Sequence, residues 1–186
     1  MSEAPAIARI NAFRQSVVST FKEAMPQLRE CEAQFGRFDL DALEKNMVRA
    51  PAVRVAVLRA RPANQPSAEI AADLACAAFV VTEGRDRDET AWTIAEAIAV
   101  ILHSAQLFGL TRLAAPRDVD IQPLLAISLK NRGVAIVAVE WRQELRCLGE
   151  TIFDDEKHLL EELYVNEDLW DLSEPAPPGA EGGGDG

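Results

Sequence analysis

The chain has 186 residues, 48% of them hydrophobic and 26% charged, the balance of a globular protein with one sizeable core plus appendages. Its net charge of −11 is unevenly placed: residues 1–149 hold 18 basic and 18 acidic side chains, while 150–186 hold twelve acidic ones against Lys157 alone. A neutral body argues against a broad basic surface for nucleic acid, and the acidity belongs to an extension.

No apolar run approaches the roughly 18 residues of a membrane span. Met1-Ser2-Glu3-Ala4-Pro5 lacks the basic and apolar regions of a signal peptide. Cys31, Cys76 and Cys147 are odd in number, widely spaced and without a Cys-x-x-Cys, which points to reduced, buried thiols rather than a metal site.

In chain order, 3–24 reads as an amphipathic helix. Ile7, Ile10, Phe13, Val17 and Phe21 recur at three- and four-residue steps, and Pro26 stops it. Gln27 to Phe35 is a candidate strand ended by Gly36. Asp39 is a plausible N-cap for a helix through Met47, closed by Pro51. Ala52 to Leu58 is short, apolar and partly β-branched, as in an interior strand; Arg59 to Ser67, with Pro62 and Pro66, reads as a loop. Ile70 to Thr82 is read as a strand, although its alanines make helix a rival. Asp86 with Glu89 suggests a capping box opening a helix to about Leu107, with Gly109 as its C′ residue. Trp92, Ile94, Ala95, Ile98, Ile101, Leu102 and Ala105 cover more than half of that helix, so burial against the sheet and against a neighbour is expected.

The most ordered stretch is Asp118 to Leu145. Two alternating runs flank Lys130-Asn131-Arg132-Gly133, as in an antiparallel hairpin. In the second run Ala135, Val137, Val139, Trp141 and Leu145 share one face, broken only by Gln143; Ile136, Glu140, Arg142 and Glu144 share the other. The whole reads as an α+β domain over 1–149, a mostly antiparallel sheet of about five strands with helices packed on one side. The extension 150–186 should hold a short helix from Asp154 carrying Leu159, Leu160, Leu163 and Tyr164. A small apolar group follows at Leu169, Trp170 and Leu172, and the Pro- and Gly-rich end is expected to be disordered.

Candidate chemistry is thin. His103 on an apolar helix reads as structural, and His158 has no metal-ligating companion. Arg85-Asp86-Arg87-Asp88-Glu89 could hold a metal or phosphate, but a solvated helix start explains it more simply. No nucleophile motif is present. Glu140 and Glu144 with Arg142 between them fit an ion-paired surface row better than an acid/base couple. Arg54, Arg59 and Arg61, the densest basic cluster, are either a solvated strand end or a subunit contact. The extension is either a solubilising tail or a docking segment anchored by Tyr164, Leu169 and Trp170, since aromatics are costly to leave in water. No catalytic, cofactor-binding or metal residue is assigned; these arginines, Trp92, Glu140, Arg142, Glu144 and the tail aromatics are the candidate interface.

Four segments in this order resemble a family from Mu-like phages and prophages, the tail terminator (tail completion) proteins. They are Gly36-Arg37-Phe38-Asp39-Leu40; Arg49-Ala50-Pro51-Ala52-Val53-Arg54-Val55-Ala56; Phe79-Val80-Val81-Thr82 before a long helix; and Asn131-Arg132-Gly133-Val134-Ala135-Ile136 leading to Val139-Glu140-Trp141. The resemblance covers roughly 5–147 and leaves the acidic extension outside. It implies a subunit made in the host cytoplasm that forms a hexameric ring on the last ring of tail-tube protein. Such a ring stops polymerisation, presents a joint to the head's neck proteins and lets DNA pass without sequence-specific binding; no reaction, cofactor or membrane contact is implied. An acidic extension reaching the lumen would repel phosphate, an idea that fails if removing 150–186 leaves assembly, joining and DNA release unchanged. Alternatives are a head-side neck protein, a small cytoplasmic enzyme with a dispersed site, or an adaptor carrying an acidic peptide.

Overall fold

A computed structural model describes residues 8–37, 48–104, 107–124 and 133–149, and the backbone of 162–165 and 168–171. The expected helix over 39–47, the Lys130-Asn131-Arg132 part of the central turn and the glycine-rich end lie outside the described residues. The elements are α1 (Arg9–Ala24), β1 (Glu30–Phe35), β2 (Ala52–Asn64), β3 (Ile70–Glu83), α2 (Arg87–His103), β4 (Arg117–Pro123), β5 (Val134–Leu145), β6 (Glu162–Val165) and β7 (Asp168–Asp171). The first five strands form one sheet in the order β1-β2-β3-β5-β4. β1 runs parallel to β2 and every other pairing is antiparallel.

Both helices cover one face. α1 contributes Phe13, Val17 and Phe21, and α2 contributes Ala91, Ile94, Ala95, Ile98 and Leu102, to a core shared with Val53, Val55, Leu74, Cys76, Val80, Val137, Val139, Trp141 and Leu145. Its centre is aromatic. Phe108 meets Phe13 and Phe21 edge-on at 5.9 and 6.3 Å, and Phe21 meets Trp141 at 6.5 Å. Each such pair adds about 0.5–1.5 kcal/mol beyond its buried area. Gln143, which interrupts the apolar row of β5, is fully buried and satisfied: its Oε1 accepts from the Trp141 indole N–H at 3.2 Å and its Nε2 donates to the Ala114 carbonyl at 2.8 Å. A buried amide costs little once paired and much if left alone.

Several sequence expectations are corrected. β2 does not stop at Leu58 but continues through Pro62 to Asn64, paired with β3 on one side only beyond Val57. Proline is tolerated on such an edge because no ladder donor is lost there. The register slips between Val57 and Arg59, so the core-facing positions change from Val53, Val55 and Val57 to Ala60. α2 begins without the expected capping box: Asp86 makes no side-chain cap, and the Thr82 hydroxyl donates to the Arg87 carbonyl instead. That helix ends at His103, and Gly109 (φ +69°) belongs to the following turn, in which the Leu110 N–H bonds to the Leu107 carbonyl. Leu163 and Tyr164, expected on a helix, are in strand β6, which pairs with β7 in the register Leu163↔Trp170 and Tyr164↔Leu169.

Candidate interaction face

The face of the sheet away from the helices has two halves. Near the start of β2 it is apolar, with Ala52, Ala56, Ala77, Phe79, Val81, Ile136 and Ala138 buried and Val48, Leu58 and Leu124 packed against them. Toward the other end the same face turns ionic. A trough of about 320 Å³ is lined there by Arg59 and Arg61 from β2, Asp73 from β3, Asp118 and Asp120 from β4, and Glu140 and Arg142 from β5.

Register explains how its charges meet. Arg142 lies opposite Arg117, and Glu140 opposite Asp120, two like-charge pairs that are unfavourable in isolation. Asp73 offsets the first. One of its carboxylate oxygens accepts from Arg117 at 2.6 Å, and the other from Arg142. Asp118, in the left-handed region (φ +53°) where the β4–β5 register slips, accepts from Arg117 at 2.9 Å. The row expected along β5 therefore pairs differently. Arg142 reaches across to β3, and Glu144 accepts from Arg146 at 2.7 Å.

The other candidate residues are scattered. Arg54 lies apart from Arg59 and Arg61; its side chain is only 12% exposed and binds Glu30 at 2.7 Å and Glu32, clamping the parallel edge strand β1 onto β2. Trp92 sits on the far layer. Only Ala91, Ile94, Ala95, Ile98 and Leu102 of α2 are buried, while Trp92 is 47% and Val100 64% exposed. The wide apolar surface expected of this helix is thus a narrow core face plus an outward stripe stepping through Trp92, Glu96 and Val100. Tyr164, Leu169 and Trp170 belong to β6 and β7. Sequence reading passes over Asp73 and Arg117, although Asp73 is the lone carboxylate inside the apolar run 70–82.

The hydrogen-bonded hydroxyls of Thr20, Thr82, Thr90, Thr93 and Ser104 all donate to main-chain carbonyls. His103 is exposed, its Nδ1 bonded to the Ala99 carbonyl at 2.9 Å. Burial raises the Cys31 thiol to about 11 and pushes Cys76 higher still, so both stay protonated and unreactive near neutral pH. Cys147 is buried beside the Arg112 guanidinium. Among the described residues no group of three His, Cys, Asp or Glu could hold a metal, and no helix is long and apolar enough to cross a membrane. Comparison with protein-family models and with curated proteins finds no match to this chain.

Proposed function

We propose that this chain is a phage virion structural protein, a tail terminator. Copies of it form a ring, expected to be hexameric, that caps the tail tube, halts its polymerisation and offers a joint to the head-completion or neck protein. The observation that carries this reading is the placement of two unlike surfaces on opposite sides of one sheet: the exposed Trp92 and Val100, on either side of Glu96, on α2, and the ionic trough of Arg59, Arg61, Asp73, Glu140 and Arg142. Head-to-tail contacts that close a ring need two different patches on each subunit, whereas a two-fold dimer needs one self-complementary patch. The sequence resemblance supplies the virion role, and the neutral body fits a scaffold through whose lumen DNA slides without being gripped.

Native mass measurement over a range of concentrations, followed by negative-stain imaging with and without purified tail tubes, tests this. The expected result is a closed ring that decorates one end of each tube and stops elongation in a polymerisation assay. A chain that stays monomeric at high concentration and leaves tube growth unchanged sinks the reading.

A further inference from the structure

Two features of the chain are incomplete by themselves, and each supplies what the other lacks. The first is the β6–β7 hairpin. Its strands are four residues each and pair only with one another, as a separate two-stranded sheet. An isolated hairpin of this size is marginal in water and needs a third strand. It is also strongly acidic, with Glu161, Glu162, Glu167, Asp168 and Asp171 in and around it. The second is the outer edge of β2. From Leu58 to Asn64 that strand has β3 on one side and no described strand on the other, and Arg59, Arg61, Pro62, Ala63 and Asn64 are all exposed. An open edge of this kind is a template for strand addition. Arg117 and Arg142 share Asp73, but Arg59 and Arg61 have no ion-pair partner among the described residues.

We propose that the acidic hairpin of one copy adds to the β2 edge of the next, its carboxylates meeting Arg59 and Arg61, and that this is the subunit joint of the ring. The inference rests on the self-association proposed above and adds the contact that makes it. Two observations favour a neighbouring copy as the source. Within one chain the hairpin and the five-stranded sheet are separate sheets, and no described residue pairs with the outer edge of β2 beyond Val57. The chain leaves β5 beside the same strand pair, with the Leu148 N–H bonded to the Ile70 carbonyl at 2.9 Å. The linker 150–161 can then span up to about 40 Å when extended, enough to cross a subunit boundary. Repeating that reach from copy to copy is a head-to-tail operation. The repelling carboxylates Asp120 and Glu140 lie across β3, about 10 Å or more from the β2 edge, where salt screens them.

The test uses the full chain in three forms: unaltered, Arg59→Glu with Arg61→Glu, and Glu162→Lys with Asp171→Lys, the two carboxylates that are cross-strand partners in the hairpin. Mass is followed by light scattering and native mass spectrometry, and circular dichroism checks that each form is folded. The unaltered chain should assemble. Each altered form alone should dissociate, weakening association about tenfold or more, because like charges then face each other. An equimolar mixture of the two altered forms should reassemble, since each hairpin then finds an edge of opposite charge on its partner. Assembly that persists unchanged in both altered forms overturns this joint and leaves the ring reading standing. Altered forms that dissociate but do not reassemble together also overturn the joint. An unaltered chain that never assembles removes both.

Discussion

The two faces of the five-stranded sheet are made by the same strands yet obey different rules. The helix-covered face excludes water through Phe13, Phe21, Phe108, Trp141 and Leu145, and even its one amide, Gln143, is enclosed and fully bonded. At the trough end of the opposite face, charges lie within reach of solvent and are balanced across strands by Asp73. Free energy of folding is concentrated on the first face, where burial of apolar area dominates. The second tolerates change in stability terms, because exposed ion pairs contribute only up to about 1 kcal/mol each. It is therefore the surface on which partner contacts can be altered without unfolding the chain.

Substitutions ranked by expected effect sharpen this contrast. Trp141→Ala removes the fully buried ring that packs edge-on against Phe21 and should cost about 3–5 kcal/mol, read as a fall in the denaturant midpoint. Gln143→Leu keeps the volume but strands the Trp141 indole N–H and the Ala114 carbonyl. It should cost about 1–3 kcal/mol in the same assay, and a neutral result would show that the amide is not essential to that face. Asp73→Asn leaves Arg117 and Arg142 opposed without their shared carboxylate. A loss of about 1 kcal/mol is expected, shrinking as salt is raised; a larger, salt-independent loss would mean that the trough belongs energetically to the core.

The last check comes from pH. Cys31 ionises near 11 in the folded chain, above its ordinary value of 9.0, because burial disfavours the thiolate. Its contribution is fully present below about pH 9 and is lost as pH rises toward 11, since the unfolded chain releases that proton first. Cys31→Ala should flatten the alkaline limb of a stability-versus-pH curve.

Much of the sheet was legible because its strands alternate cleanly or are apolar throughout. β5 occupies Val134 to Leu145 as its alternation predicts, and β3 differs from the expected strand by Glu83 alone. β2 was truncated at Leu58 for a physical reason: beyond the register slip its alternation restarts out of phase, and Pro62 reads as a loop. In the extension, Leu163 and Tyr164 lie in β6. Leucines at three- and four-residue steps suggest a helix, whereas the hairpin depends on pairing with residues still to come. The trough was half legible. Arg59, Arg61, Glu140 and Arg142 stand out as charges on strands, but their connection through Asp73 and Arg117 requires knowing which strands are neighbours.

The irregularity at Leu58 also constrains how this chain can change in length. That one additional residue inverts the in–out parity of the second half of β2, turning Arg59 and Arg61 outward where strict alternation from Val53 would aim them at the helices. Excising Leu58 would remove the bulge and leave Ala60 inward and Arg59 and Arg61 outward on a regular ladder, so such a deletion should still fold and express. Replacing the same leucine with valine should pass almost unnoticed. Along this strand the ladder absorbs the extra residue as a bulge, and that bulge keeps the two guanidiniums out of the apolar layer.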